Sequence, residues 1–388
     1  MQPLALALLS LPVLCFGYAY VGYPVILRML AARRSPRRRY ADPAVWPLIT
    51  ITLPCYNEER RLRDSLDSLL AADYPADRRQ LLVVSDASTD ATDDIAREYA
   101  SRGVELLRLP RRSGKTAAEN AALAAARGAI VINVDASVRV LPDAIKALVR
   151  AFEDPTVGVA SSRDVSVGDE LREGNQGESG YVGYEMKVRA LETRLDSIVG
   201  ASGSFFGIRR GIHEPGFPEA LSRDFASALM AREHGLRAVS VDEAVCLVPR
   251  TTSLRTEFRR KVRTMARGLE TLWYKRHLMN PLRHGRFAWM LFSHKLCRWL
   301  VYLTLPLALV GLVMLAIAWP PAWWLVALAG AGILLGVIGM RWPEGRRVPA
   351  LFAIPGFILA SNVAGVLAWA QVLRRQRTPL WEPTRRPA

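Results

Sequence analysis

The feature that most restricts this chain is where its apolar residues stand. Long apolar runs lie at both ends, and a mixed polar and apolar stretch of domain size lies between them. Crossing a bilayer takes about 20 mainly apolar residues. Leu4 to Met29 is such a run, with no charge before Arg28, and Leu300 to Ala318, Trp323 to Met340 and Ala350 to Ala370 are three more. A cleaved secretory leader opens on basic residues and closes on a small-residue site. The first run instead opens Met1-Gln2-Pro3 and closes on Arg28, Arg33, Arg34, Arg37, Arg38 and Arg39, which predicts a retained anchor. Basic residues beside a span stay on the cytosolic side and meet anionic headgroups. The middle of the chain is therefore expected in the cytosol and the protein in the inner (plasma) membrane.

The net charge of +16 follows the same logic. Nucleic-acid binding calls for basic patches that track phosphates. Here much of the excess flanks the apolar runs, at 28–39, 341–347 and 374–386, so membrane lipids are the expected partner and nucleic acid is not. Cys15, Cys55, Cys246 and Cys297 show neither close pairing nor metal-ligand spacing.

Within the middle, short β-rich runs alternate with helical ones. Leu48 to Leu53, Gln80 to Val84, Val104 to Leu109 and Ala129 to Val134 read as strands; Glu58 to Ala71, Asp93 to Ser101 and Lys115 to Arg127 read as helices. That alternation predicts an α/β domain with a mainly parallel sheet, whose ligands gather at the carboxyl ends of the strands. A polar, Gly-rich loop is expected from Asp169 to Gly180, then a helix from Tyr181 to Leu195. Arg255 to Lys275 carries Phe258, Val262, Met265, Leu269, Leu272 and Trp273 at helical spacing, an amphipathic helix suited to the membrane surface. The expected division is 1–30 membrane helix, 31–47 basic linker, 48–254 α/β domain, 255–297 interfacial helices, 298–373 three membrane segments and 374–388 basic tail. Four crossings from an outside N-terminus would put that tail outside, against its arginines, so one run is expected to be re-entrant, broken at Ile354-Pro355-Gly356.

Asp86 and Asp135 stand at predicted strand ends. A carboxylate there can meet a nucleobase or ribose, or hold Mg²⁺ or Mn²⁺ against a diphosphate. It can equally cap the next helix. Gly114-Lys115-Thr116 is no ATPase P-loop, which needs a glycine where Leu109 stands.

Taken with their order, the segments Pro54-Cys55-Tyr56-Asn57-Glu58, Val84-Ser85-Asp86-Ala87-Ser88-Thr89-Asp90, Gly114-Lys115-Thr116-Ala117-Ala118-Glu119-Asn120 and Ser222-Arg223-Asp224-Phe225 resemble the family 2 glycosyltransferases of the GT-A fold. They look most like the membrane-bound polysaccharide synthases for cellulose, chitin, hyaluronan and poly-N-acetylglucosamine. The resemblance runs over about 48–273 and returns in the tail Trp381-Glu382-Pro383-Thr384-Arg385. It implies a nucleotide-sugar-binding GT-A domain in which Pro54, Tyr56, Glu58 and Asp86 hold the nucleotide, Lys115 approaches the diphosphate and Asp224 is the catalytic base. Asp135-Ala136-Ser137 occupies the place of the metal-binding D-x-D but lacks its second carboxylate, so a divalent cation would rest on Asp135. Gly200 to Arg210 resembles the acceptor-side segment, with Ser202 and Gly203 at its turn. Arg223 replaces an acidic residue beside Asp224 and could lower that carboxylate's basicity by pointing inward. The processive motif Q-x-x-R-W is missing, although Arg263 and Arg267, one helical turn apart, offer forked cations for a leaving diphosphate.

The expected function is inverting transfer of a sugar from a nucleotide diphosphate donor, UDP-sugar foremost, to a growing polysaccharide or lipid-linked acceptor at the cytosolic face. Other envelope-polysaccharide proteins are natural partners for such an enzyme. The missing Q-x-x-R-W opens a second reading, single addition to a polyprenyl phosphate or glycolipid. Ser137 and Arg223 open a third, a non-catalytic nucleotide-sugar-binding scaffold.

Overall fold

The computed structural model describes residues 1–34, 40–167, 176–213, 216–249, 254–343 and 348–375. Eight strands form one sheet: β1 (Ile49–Cys55), β2 (Arg79–Ser85), β3 (Val104–Arg108), β4 (Ile130–Val134), β5 (Arg139–Val140), β6 (Val157–Val167), β7 (Phe205–Arg209) and β8 (Arg237–Pro249). Their order is β3-β2-β1-β4-β7-β6-β8-β5. The β3-β2-β1-β4 half is parallel, β6 and β8 are parallel, and β7 runs antiparallel between β4 and β6. Every residue of β1 is buried, as expected of a strand covered on both faces.

Three helices continue the parallel half: α3 (Leu62–Leu70), α4 (Thr92–Glu98) and α5 (Lys115–Ala125). With α6 (Ala144–Arg150), α3 covers a core built on Ile51, Leu53, Val83, Ile132 and Phe205. The opposite core holds Val131, Ile208, Phe206 and Met230, the last from α8 (Arg223–Glu233). Because β1, β2 and β4 are parallel, their carboxyl ends open on one edge, where the loops carrying Tyr56, Asp86 and Asp135 begin.

Among the described residues, four helical segments are long and apolar enough to cross a membrane: Gln2–Ala32, Pro281–Ala318, Pro320–Met340 and Ala350–Leu373. The first comprises α1 (Gln2–Gly17), a π turn, and α2 (Tyr23–Ala32); it packs on α11 (Cys297–Ala318). The helix α12 (Trp323–Met340) pairs with α13 (Ala350–Leu373). No break occurs at Ile354-Pro355-Gly356: α13 is continuous through Pro355. One lost backbone bond is tolerated because Gly356 lies against Gly339 of α12, and neighbouring helices hold such a segment straight.

Two expected interfacial pieces are covered by protein. The helix α9 (Leu254–Tyr274) buries Val262, Ala266, Leu269 and Leu272, and packs on α13 and α8. Lys261 Nζ donates to Ser361 Oγ at 2.9 Å, and Trp369 Nε1 of α13 donates to the carbonyl of Trp299 at 2.9 Å. The helix α10 (Pro281–Leu291) buries Phe287, Met290 and Leu291 against Tyr23 and Leu27 of α2. The apolar stripe that suggested a lipid contact is satisfied by these helices, the same packing that docks the α/β domain on the membrane segments. The helix α7 (Gln176–Leu195) begins five residues before its expected start; the rest of the expected polar loop, up to 175, and the tail Trp381–Arg385 lie outside the described residues.

Candidate active site

The rim of the parallel half is built from tight turns. Asn57 and Ala87 hold φ of 54° and 55° just past β1 and β2, a conformation non-glycine residues rarely adopt and one that collects at functional sites. Hydrogen bonds between the two loops hold them there: Asn57 Oδ1 accepts from the Thr89 amide at 2.8 Å, and the Glu58 amide donates to Thr92 Oγ1 at 2.8 Å.

Asp86 is 2% exposed. Its Oδ1 accepts from the Ser113 amide at 2.6 Å and its Oδ2 from the Gly114 amide at 2.8 Å, so the carboxylate holds the turn that leads into α5. It does not cap the helix that follows it, α4, and a carboxylate has four lone-pair sites, of which two remain. A narrow crevice is lined by Pro54, Cys55, Asp86, Lys115 and Ala118. At its outer side the Arg112 guanidinium stacks 4.0 Å over the Tyr56 ring.

Lys115 connects this crevice to the other half of the site. Its Nζ donates to Asp135 Oδ1 at 2.5 Å and to the Gly203 carbonyl at 3.4 Å, and stands 3.9 Å from Glu119. Burial opposes the ammonium charge, but Asp135, Glu119 and Asp224 overcome it and raise the lysine's pKa. The Glu119 carboxyl is raised as well, by burial first, against the pull of Lys115 and Arg223.

Asp224 lies in the first turn of α8, where a helix favours negative charge. Ser222 Oγ donates to its Oδ1. Gly203 sits directly beneath: a Cβ there would stand 2.6 Å from Asp224 Oδ2, so only glycine lets the carboxylate reach the turn. Ser202 shapes the same turn, donating through Oγ to Asp164 Oδ2 at 2.5 Å and through its amide to Ser161 Oγ at 2.8 Å. Beside Asp164 opens a groove of about 470 Å³ between β6 and α7.

Arg223 points inward, as entertained from the sequence, but away from the base. Its guanidinium lies 3.7 Å from Glu119, bonds Asn120 Oδ1, and donates to His213 Nδ1 at 3.0 Å. Burial and the adjacent Arg223 push His213 down to about 3, so the ring is neutral and accepts this bond. The side chain that threatened to weaken Asp224 instead anchors α8 to α5.

Of the two candidate arginines on α9, Arg267 enters the site. Its Nη2 donates to Thr116 Oγ1 at 2.8 Å and to the carbonyls of Leu221 and Glu219 at 2.5 and 3.1 Å, and burial pushes its pKa down. Arg263 is half-buried one turn earlier. Sequence reading missed Arg112, Glu119 and Asp164. Arg112 stands two residues before Gly114 and Glu119 inside the same motif, so position was the available signal.

Among the described residues no group of three metal-binding side chains occurs. Asp135 can offer one carboxylate, which suits a cation that takes most of its other ligands from phosphate and water.

Comparison with known proteins bears on this arrangement. The profile of glycosyl transferase family 2 matches residues 50–217, from β1 to beyond β7. An N-acetylglucosaminyltransferase of Mesorhizobium japonicum is 38% identical over 119 residues, 30% of this chain, and the chain spans only 28% of that relative's length. An N-acetylglucosaminyltransferase of Bradyrhizobium elkanii is 31% identical over 126 residues, 31% of this chain and 69% of that protein. A mannosyltransferase from Pyrobaculum calidifontis, solved with GDP-Man and Mn²⁺, superposes with a TM-score of 0.72 over 97% of this chain and 99% of its own, at 23% identity. That likeness shows a shared fold over nearly the whole chain.

Proposed function

This chain is a member of glycosyltransferase family 2, and on that premise we propose that it transfers a sugar, with inversion, from a nucleoside diphosphate donor to a lipid-linked acceptor at the cytosolic membrane face. The observation that carries the reading is the position of Lys115. One ammonium touches Asp135 on the donor side and the Gly203 carbonyl on the acceptor side, with Asp224 packed on Gly203.

The roles follow from what each group can do. Tyr56 and Arg112 offer a stacking surface for the base, Pro54 and Glu58 border it, and the unused lone pairs of Asp86 accept from the base or ribose. Lys115, with Arg267 behind it, stabilises the negative charge that gathers on the departing diphosphate. Arg263 is assigned to the same face of α9 as a further cation for that charge. Asp224 takes the proton from the acceptor hydroxyl as its oxygen attacks the anomeric carbon from the face opposite the leaving group. Gly203 and Ser202 hold that acceptor. A divalent cation would neutralise diphosphate charge, and Asp135 is the residue that would hold it.

Single addition is favoured over long-chain synthesis because Arg259 to Gly268 carries no Q-x-x-R-W. The relatives' names make the N-acetylglucosamine nucleotide the first donor to try, with UDP as its carrier. The test is a panel of radiolabelled nucleotide sugars on the full chain in lipid nanodiscs, with and without Mn²⁺, reading donor binding and product length. One sugar per lipid is the expected product. Nucleotide-sugar binding with no transfer to any lipid would leave only the scaffold reading.

A further inference from the structure

The last apolar segment, α13, has the length and composition of a crossing helix, but its contacts do not fit a crossing. It runs along α9 for most of its length. Lys261 Nζ lies 4.0 Å from the centre of the Phe357 ring and donates to Ser361 Oγ at 2.9 Å. Further on, Ala368 shares one apolar cluster with Ala266 and Leu269, to which Trp369, Val372 and Trp299 add, and Trp369 Nε1 donates to the Trp299 carbonyl at 2.9 Å. Residues 357–372 therefore follow α9 through about 22 Å of helix.

Both ways of setting α13 across a bilayer fail on these contacts. Ala266 and Leu269 flank Arg267, whose guanidinium bonds Thr116 and the Leu221 carbonyl in the α/β domain, so the end of α13 at 368–372 stands on the domain's side. A crossing that ended on the far side would carry this arginine away from its partners. A crossing that ended on the domain's side would sink Phe357 about 18 Å deeper than Trp369, and Lys261 with it. Arg259, Arg260 and Arg263 stand within two residues of Lys261, so all of these cations would enter hydrocarbon, where charges are costly and rare. A helix lying along the surface avoids both outcomes. Its faces fit that position: Phe357, Ser361, Ala368 and Val372 recur at helical spacing toward α9, Val363 and Leu367 lie off that stripe and are exposed, and the helix closes on exposed Arg374 and Arg375.

We infer that α13 is an interfacial helix whose partner is the anionic leaflet on the domain's side, with Val363 and Leu367 among acyl chains and Arg374 and Arg375 among headgroups. The chain then crosses three times. Gly339, at the end of α12, lies against Phe352 and Gly356 of α13, so α12 returns to the domain's side. Arg33, Arg34, Arg341, Arg374 and Arg375 fall together on that side. The turn Trp319–Trp324, which carries no charge and exposes three tryptophans, takes the other, in keeping with the retention of basic residues inside and the gathering of tryptophan at membrane faces. The conflict between an arginine-rich tail and an even number of crossings disappears. Naming the domain's side cytosolic rests on the proposed function; the placement of α13 relative to α9 does not.

The experiment places cysteines in the full chain. Asp77→Cys, Arg341→Cys, Arg375→Cys and Pro321→Cys, all at exposed positions, are labelled with a membrane-impermeant maleimide in inverted and right-side-out membrane vesicles, with the unsubstituted chain as the control for its own cysteines. The first three are expected to react in inverted vesicles and Pro321→Cys in right-side-out ones. Reaction of Arg375→Cys from the same side as Pro321→Cys would overturn the three-crossing chain. Where a variant does not fold, protease access to an epitope placed after Ala388 reads the same side. Depth is read from nitroxide labels at Ile354→Cys, Ile358→Cys, Leu367→Cys and Leu373→Cys in nanodiscs containing anionic lipid. They are expected to agree to within about 10 Å, the width of a helix, whereas a perpendicular helix separates the first from the last by about 28 Å. A spread under half of that separation supports the interfacial helix, and a larger one overturns it. If Asp77→Cys, Arg341→Cys and Arg375→Cys all react in right-side-out vesicles instead, the cytosolic face in the proposed function fails while the interfacial helix stands.

Discussion

The molecule holds two clusters of charge, one at the sheet rim and one at the membrane junction, and they are built differently. At the rim, Lys115, Glu119, Asp135 and Asp224 share a cleft that opens to solvent, with Asp135 about a third exposed. Its members come from short motifs at strand ends. At the junction, Glu185, Glu192 and His294 are almost wholly enclosed, and the partners are far apart in the chain: Tyr23 with Glu192, and Glu185 with His294 and Arg298. The rim can exchange partners when a ligand enters, because water and ligand compete for its charges. The junction is enclosed, so it ties α2, α7 and α11 into one body and fixes where the turn at 200–204 stands relative to those helices.

The difference is open to attack. The largest expected effect is Asp224→Asn, which removes the base and slows sugar transfer by about 10²–10⁴-fold. Donor affinity and melting temperature stay near wild type, since the amide has the shape of the carboxylate it replaces at the half-buried start of α8; a transfer rate within a few-fold of wild type would remove Asp224 from the mechanism.

Next, the same change in each cluster should have opposite consequences. Glu185→Gln strips a buried set of cations of its shared partner and is expected to destabilise by about 3–5 kcal/mol. Glu119→Gln replaces a carboxylate whose ionisation burial already opposes, so thermal stability at neutral pH holds or rises while transfer slows through the altered Lys115. Chemical denaturation of both variants in detergent reads this directly, and equal losses would erase the contrast.

Gly203→Ala comes third. A methyl group 2.6 Å from Asp224 Oδ2 must displace the carboxylate, and misplacement on the order of 1 Å costs up to about 10²-fold in rate. The expected signature is a lower kcat with an unchanged KM for the nucleotide sugar.

The smallest effect is in the response to acid. His294, Lys295 and Arg298 overcome the effect of burial and hold Glu185 well below the ordinary carboxylate value of 4.5. A depressed folded pKa supplies stability that is present above the unfolded pKa and lost as pH falls through the folded one, so this contribution fades below pH 4.5. Glu119, raised above 4.5, has the other sign: its contribution is full below that value and is lost as pH climbs through the folded pKa. Stability profiles from pH 3 to 7 should therefore lose their acid-side slope in Glu185→Gln and flatten above pH 4.5 in Glu119→Gln.

The rim was legible because each of its parts is local. A strand end, a turn and a helix start put Asp86, Lys115 and Asp135 on one edge once the strands are parallel, and the motif order named Asp224. What could not be read was direction. Arg223 looked able to disturb Asp224, yet α5 supplies Glu119 and Asn120 as nearer partners. Asp86 looked like a base contact or a cap of the next helix, and its carboxylate instead takes the amides of Ser113 and Gly114 ahead of α5. The apolar stripe of α9 suggested lipid, but α13 covers it, and a stripe cannot tell a bilayer from another helix. Pro355 marked a break that Gly339 and Gly356 prevent by close packing.

By itself the sequence determined the membrane segments, the alternating strands and helices, and the edge on which the chemistry must lie, since hydrophobic period and strand-end position are properties of neighbours in the chain. Tertiary structure alone decided the junction. Its charges come from α2, α7, the π turn Phe292–Leu296 and the start of α11, and nothing local in any of those segments says that they will share one carboxylate.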